Sequence, residues 1–193
     1  MISVEIHRRS RWSENRHQGI IALSVSTRDV SELFRDIASA NFRNQPPCLN
    51  YIHAMLILPG SNALSAFRTK NLLSRLQAVD ANVVGVTARY AHFVDASAPL
   101  SESDVSRLKA LLVYGDAFTG SEEGDSFVVI PRFGTISPWA SKATDITHNC
   151  GMQQIKRLER GVQYFVQVKS GLLGGAKKLA ADSKQGVITL LHD

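Results

Sequence analysis

The residues best suited to chemistry are His148 and Cys150, which are separated only by Asn149. A cysteine nucleophile needs a base within hydrogen-bond reach, and histidine is a common base. If the segment is helical, however, residues two apart point about 200° away from each other, so these two side chains do not pair. Cys150 also continues an apolar stripe. The sequence therefore predicts a structural Cys150 and a His148 on a polar or interface surface.

A second candidate is the glycine-containing segment Gly171–Lys178, which follows a predicted strand over residues 162–168. Phosphate-binding loops occupy such positions. The segment matches neither GxxxxGK[ST] nor GxGxxG, so a turn leading into a lysine-bearing helix is the favoured interpretation. No set of His, Cys, Asp and Glu has metal-ligand spacing. We therefore expect no cofactor or metal site in this chain.

Basic residues near the same helix leave two interpretations open. They form either a patch for a phosphorylated ligand or acidic surface, or ordinary solvated charge. The residues concerned are Lys142, Lys156, Arg157 and Arg160.

The segment Pro131–Gly161 predicts a strand, a turn, a helix and a second strand. Phe127–Ile130 is an apolar strand, and Ser137 followed by Pro138 is typical of a helix start. Gly151 can take the left-handed conformation that ends a helix. Five apolar residues recur at helical spacing and predict one buried stripe. They are Ile136, Trp139, Ala143, Ile146 and Cys150.

Earlier in the chain the pattern is similar. A short strand at Met55–Leu58 precedes a helix capped by Ser61, with Leu64, Phe67, Leu72, Leu76 and Val79 directed toward the core. Residues 83–96 predict a long strand with Tyr90, His92 and Val94 on one face. Ser101 begins another helix, with Asp104 three residues on.

An internal repeat relates these two regions. Ser65–Lys70 aligns with Ser137–Lys142 and His92–Val94 aligns with Tyr164–Val166, both at an offset of 72 residues. Two matches at one offset predict two copies of a strand–helix–strand unit. We therefore expect a duplicated α+β fold, with antiparallel sheets, helices packed on them and a pseudo-twofold axis.

Composition restricts the class of protein. At 193 residues, with 44% hydrophobic and 20% charged residues, the chain is typical of a soluble globular domain, and no apolar run is long enough for a membrane span. The net charge of +5 permits an anionic partner but does not require nucleic acid. Two cysteines without metal-type spacing favour free thiols and a cytoplasmic location.

The first 54 residues differ from the rest, because they hold seven arginines and no lysine. Residues 20–25 predict a strand and residues 30–37 a short helix. The segment 1–54 is interpreted as an atypical extension: poorly ordered, which we favour, or a basic arm that docks on a partner, or sequence upstream of a start at Met55. Residues 55–193 are expected to form the principal domain.

A family resemblance rests on the ordered series GTISPW, SKATDI, HNCG and RLERG between residues 134 and 161, with GSNALSAFRTKNLLSRLQ and ARYAHFVDASAPLSESD upstream. This series resembles the N-terminal domain of phosphoribosylformylglycinamidine synthase in its large single-chain form. The resemblance runs from about Met55 to Asp193, and it implies that the family's chain continues beyond Asp193.

The resemblance implies a ligase of purine biosynthesis that uses glutamine and ATP, with its ATP, Mg and glutaminase sites in later domains. This fragment would then be non-catalytic, and its partners would be the synthetase and glutaminase domains, which it would help to assemble around an ammonia path. The alternatives are a free-standing binding module for a nucleotide or sugar phosphate and, more weakly, a nucleic-acid binder. Our candidates for interface contacts are Ser137, Lys142, Asp145, His148, Arg157 and Arg160.

Overall fold

The computed structural model describes residues 20–24, 54–131, 135–169 and 178–191. Its five strands are β1 (Ile20–Ser24), β2 (Ala54–Asn62), β3 (Val83–Ala96), β4 (Asp125–Pro131) and β5 (Ile155–Val168). Its four helices are α1 (Ala66–Val79), α2 (Glu102–Leu111), α3 (Pro138–Asn149) and α4 (Ala181–Leu191). The predicted glycine segment 171–178 lies almost entirely outside the described residues, as does the predicted helix over residues 30–37.

The strands form one antiparallel sheet in the order β1-β4-β5-β3-β2. The two long strands, β3 and β5, lie at its centre and pair with each other along most of their length. The strand predicted over residues 20–25 is present as β1, which pairs with β4. The predicted α+β class is therefore confirmed.

The duplication is visible in the elements themselves. β3 and β5 begin and end 72 residues apart, and the helix caps Ser65 and Ser137 are separated by the same interval. In the sheet, Tyr90 pairs with Val162, which is the residue 72 positions later. The pseudo-twofold axis that relates β2-α1-β3 to β4-α3-β5 therefore passes through this pair.

All four helices pack on the face of the sheet that carries the even-numbered residues of β3 and β5. Since side chains alternate between faces along a strand, Val86 and Val94 lie on this same face, toward opposite ends of β3. Val86 belongs to a cluster with α1 and α4, represented by Leu76 and Val187. Val94 belongs to a second cluster with α2 and α3. The axis lies between these two halves of the core.

The opposite face is also partly covered. The segment between α2 and β4 reaches it, and the ring of Phe118 lies 6.1 Å from that of Phe165. Arg89 stacks over both rings and forms an ion pair with Glu122. Gly124, with a φ of 104°, immediately precedes β4 and lies so close to the Val166 carbonyl that a side chain has no room.

Two predicted buried stripes are partly wrong. In α3, Ala140 and Thr147 are buried, whereas Ile136 is 67% exposed and Ile146 is 43% exposed. In α1, Leu76 is fully buried, whereas Phe67 is 73% exposed and Val79 is 37% exposed. Phe67 is the second residue of α1, and Ile136 lies two residues before α3. Helical spacing alone does not reveal that the second layer is interrupted there.

Candidate docking site

β5 delivers charged side chains to both faces of the sheet. Arg157 and Glu159 are odd-numbered and point away from the helical layer, whereas Arg160 points toward it. The predicted interface residues in this region therefore fall into several environments. Arg157 and Arg160, two members of the predicted basic patch, point to opposite faces of the sheet.

Ser137 and Arg157 meet at the buried carboxylate of Glu159. The Ser137 hydroxyl accepts a hydrogen bond from the Ala140 amide at 3.0 Å, which caps α3, and it donates one to Glu159 at 2.7 Å. Arg157 forms an ion pair with Glu159 at 2.7 Å and also donates to the Thr135 carbonyl. These contacts fasten the start of α3 to β5.

Burial of Glu159 opposes its ionisation, but its hydrogen bonds outweigh that effect. The Arg157 side chain, the Arg160 amide and the Ser137 hydroxyl all donate to the carboxylate, and together they hold the pKa of Glu159 below its ordinary value of 4.5. Glu159 is therefore ionised at neutral pH. The sequence did not indicate the role of Glu159, because a segment with several charged residues is typical of an exposed surface.

His148 fastens the other end of α3. Its Nε2 lies 2.6 Å from the carbonyl oxygen of Ile155, the first residue of β5, so this nitrogen carries the hydrogen. Gly151 has a φ of 83°, which confirms the predicted left-handed position after the helix. Cys150 is a half-buried free thiol packed against the α2–α3 half of the core. His148 thus has a structural partner on the backbone.

Lys142 and Asp145 lie exposed on the outer side of α3. Ile146, next to Asp145, is on the same outer surface. A predicted interface in this region remains compatible with these positions, since both charged side chains are accessible.

Arg160 lies in an aromatic cage on the helical face, formed by Tyr90, His92, Tyr114 and Trp139. Its guanidinium carbon is 4.6 Å from the ring centroid of Tyr90, 4.8 Å from that of Trp139 and 5.8 Å from that of Tyr114. These distances are those of cation–π contacts. We call this set of five residues the Arg160 cage.

His92 forms the floor of the cage and is fully buried. Its Nε2 is 2.6 Å from the Tyr114 hydroxyl, and its ring lies against Trp139 with centroids 5.7 Å apart. Its Nδ1 has no hydrogen-bond partner among the described residues. Glycine at position 60 makes room for the ring, because a Cβ there would collide with it.

The imidazole of His92 is neutral at physiological pH. Burial, together with the positive charge of Arg160, lowers the pKa of His92 from 6.5 to about 4. The Leu58 backbone raises the pKa in opposition, through an interaction that falls short of hydrogen-bond geometry. Burial also raises the pKa of Tyr114, against the effect of Arg160. The cage therefore carries one formal charge, that of Arg160.

Sequence reasoning identified Arg160 but not the cage around it. The alternation of β3 did place Tyr90 and His92 on one face, which was the available signal. The cage depends on the register that sets Arg160 opposite His92, and on Trp139 and Tyr114 arriving from other elements. Neither can be read from spacing.

The two copies of the repeat differ at this site. The positions equivalent to Arg160 and Trp139, 72 residues earlier, are Ala88 and Phe67. Ala88 is buried, and Phe67 is exposed. The first copy therefore has neither an arginine nor a cage in the corresponding place.

Within the described ranges, no group of three or more His, Cys, Asp and Glu side chains could hold a metal ion. The helices in the same ranges include none that is long and apolar enough to cross a membrane.

Comparison with known protein families gives a match over residues 89–193 to the family described as formylglycinamide ribonucleotide amidotransferase N-terminal. The match begins within β3 and includes Tyr90, His92, Tyr114, Trp139 and Arg160. It covers more than half of the chain and agrees with the resemblance carried by the segment between residues 134 and 161. This chain belongs to the family of N-terminal domains of formylglycinamide ribonucleotide amidotransferase.

Proposed function

We propose that this chain is an assembly domain that docks on the synthetase and glutaminase domains of phosphoribosylformylglycinamidine synthase. That enzyme would use ATP, Mg²⁺ and glutamine to convert formylglycinamide ribonucleotide into its amidine in the cytoplasm. The domain would hold the catalytic parts in register and support the path along which ammonia passes. The observation that carries the proposal is membership of the N-terminal family of this amidotransferase.

The polar groups of the site support a structural role in the chain. Ser137 caps a helix and binds Glu159, and His148 binds the Ile155 backbone. Cys150 packs against an apolar cluster. A nucleophile requires an available base, and each of these groups is engaged in holding α3 on β5. ATP, Mg²⁺ and the glutaminase nucleophile would be contributed by the rest of the enzyme.

The test is to reconstitute the enzyme from this chain and a separately produced remainder that lacks the corresponding region. We expect a complex on size-exclusion chromatography and a gain of glutamine-dependent turnover. Turnover with free ammonia as the nitrogen source provides the control, because it bypasses any ammonia path. If no complex forms and glutamine-dependent turnover does not rise, the assembly role is rejected.

Calorimetry separates this proposal from a free-standing binding module. The assembly role predicts no heat of binding when formylglycinamide ribonucleotide or ATP is titrated into the chain alone. Saturable binding of either ligand, abolished by substitution of Lys142 or Lys156, would favour the module instead.

A further inference from the structure

The guanidinium of Arg160 is held in place without an acidic partner among the described residues. Its side-chain contacts there are the three aromatic rings and the Tyr114 hydroxyl, 3.5 Å from one of its nitrogens. The nearby carboxylate of Glu159 points to the other face and reaches only the Arg160 backbone amide. A half-buried cation is costly unless its N–H groups are satisfied by water or by a ligand.

The fold itself does not require this arginine. The pseudo-twofold places Ala88 at the equivalent position in the other half of the sheet, where it is 1% exposed and well packed. Likewise Phe67 occupies the position equivalent to Trp139 without forming a cage. Arg160 and the aromatic rings around it in the second copy are therefore not needed to form or pack the sheet.

The geometry suits a carboxylate. The rings of Tyr90 and Trp139 hold the guanidinium, with centroids 4.6 Å and 4.8 Å from its central carbon, and Arg160 remains only half-buried. A fixed guanidinium edge matches the two oxygens of a carboxylate in a bidentate pair. Because His92 is neutral, the cage offers a single positive charge. One charge balances one carboxylate, whereas a phosphate dianion would call for additional donors.

The surroundings resemble the centre of a protein interface. Tyr164 lies on the same face of the sheet as Tyr90 and Arg160. Two exposed apolar side chains belong to the starts of the neighbouring helices: Phe67 in α1, and Ile136 three residues before Trp139. Tyrosine, tryptophan and arginine surrounded by apolar residues are typical of binding hot spots.

We propose that the Arg160 cage is a docking point for an aspartate or glutamate side chain of the catalytic domains. This inference rests on the proposed assembly function and gives it a specific contact. The incoming carboxylate forms a bidentate pair with Arg160, and the surrounding rings exclude water from that pair. Phe67 and Ile136 contact apolar residues of the partner around it.

Affinity measurements with the reconstituted enzyme test the inference. Interferometry or calorimetry compares wild-type chain with Arg160→Gln, Arg160→Lys and the control Lys109→Gln, each titrated with the remainder. We expect Arg160→Gln to weaken the complex about 30-fold or more, as truncation of one partner of a buried charge pair does. Arg160→Lys keeps the charge but loses the planar fork, so an intermediate loss is expected. Lys109→Gln removes the same charge from an exposed position on α2, outside the candidate interface residues, and is expected to remain within about 2-fold of wild type.

The outcomes separate the two levels of the proposal. If wild-type chain does not bind the remainder, the assembly function fails. If wild type binds and Arg160→Gln binds equally well, the docking point is wrong while the assembly function stands. A large loss of thermal stability in isolated Arg160→Gln would mean that the arginine serves a segment of this chain, which also overturns the inference. Stabilisation of the isolated chain by inorganic phosphate, lost in Arg160→Gln, would identify a small-anion site instead.

Discussion

His92 gives the domain a measurable pH dependence above the range in which carboxylates titrate. In the unfolded chain its pKa is that of an ordinary histidine, 6.5, whereas burial in the folded domain lowers the pKa to about 4. Between these values the unfolded chain binds a proton at this position and the folded domain does not. The contribution of His92 to the free energy of unfolding is therefore fully present above pH 6.5, and it is lost as the pH decreases toward 4.

The size of the effect follows from the two pKa values. The difference between the unfolded and folded pKa values lowers the free energy of unfolding by about 3 kcal/mol near pH 4. At pH 5.5 the loss is about 1.4 kcal/mol, since the unfolded histidine is already mostly protonated there. For a domain of this length, that corresponds to a decrease in Tm of roughly 3–6 °C.

The measurement compares urea unfolding of wild type and His92→Gln at a series of pH values from 7.5 to 4.5. The variant is expected to be less stable at pH 7.5, yet its stability should fall less steeply on acidification. Tyr114→Phe is the matched control, because it removes the hydrogen bond to His92 but leaves the imidazole buried. Tyr114→Phe is therefore expected to retain the wild-type pH slope.

An NMR titration of the His92 ring gives an independent readout, with an expected midpoint near the folded pKa of about 4. The reasoning is refuted if wild type and His92→Gln lose stability in parallel between pH 7.5 and 4.5, or if the His92 resonance titrates near 6.5. Either result would mean that water or a polar group reaches Nδ1 in the folded protein.

Three further substitutions test the framework around the site. Glu159→Gln is expected to cost about 2–4 kcal/mol at pH 7 by urea unfolding, and to remove the wild-type loss of stability that occurs below about pH 4.5, because the folded pKa of Glu159 lies below its ordinary value. Gly124→Ala is expected to lower the free energy of unfolding by about 3 kcal/mol or more, since its φ is 104° and the Val166 carbonyl fills the space of a Cβ. Gly151→Ala is expected to cost about 1 kcal/mol, because its φ is 83° but the space around it is open. Equal shifts of the melting temperature in the two variants would contradict the packing argument. Ser137→Ala is expected to lower the melting temperature more than Ser65→Ala, the equivalent cap, because only Ser137 also donates to Glu159.

The sequence predicted the architecture well because the fold is duplicated and its signals are local. The strand predicted over residues 83–96 is β3, and Ser137 caps α3 as its position before Pro138 indicated. The 72-residue offset predicted from a few residues, such as Ser65 and Ser137, also relates the whole strands β3 and β5. Caps and alternation are set by neighbouring residues, so most can be predicted without knowing the rest of the fold. The cap predicted at Ser61 is wrong, because β2 extends to Asn62 and Ser65 caps α1.

The errors concern which apolar residues of the helices are covered. Phe67, Ile136 and Ile146 fit apolar helical spacing but are exposed. Spacing shows which side of a helix is apolar; it does not show how far the neighbouring layer extends beneath it. Phe67 and Ile136 lie at or just before the N-terminal ends of α1 and α3, whereas Ile146 lies in the C-terminal half of α3, so the layer beneath these helices is incomplete at more than one place.

Duplication also explains how such a site could arise without disturbing the fold. Either copy of the strand–helix–strand unit satisfies the packing requirements with small or apolar residues, as Ala88 does in the first copy. The equivalent position in the second copy was then free to carry Arg160, provided that its charge was stabilised by Tyr90 and Trp139. Comparison of equivalent positions is thus a guide to function in this domain. Positions that are similar in the two copies serve the fold. Where one copy alone carries a partly buried charge, as at Arg160, we expect that charge to be stabilised by a partner.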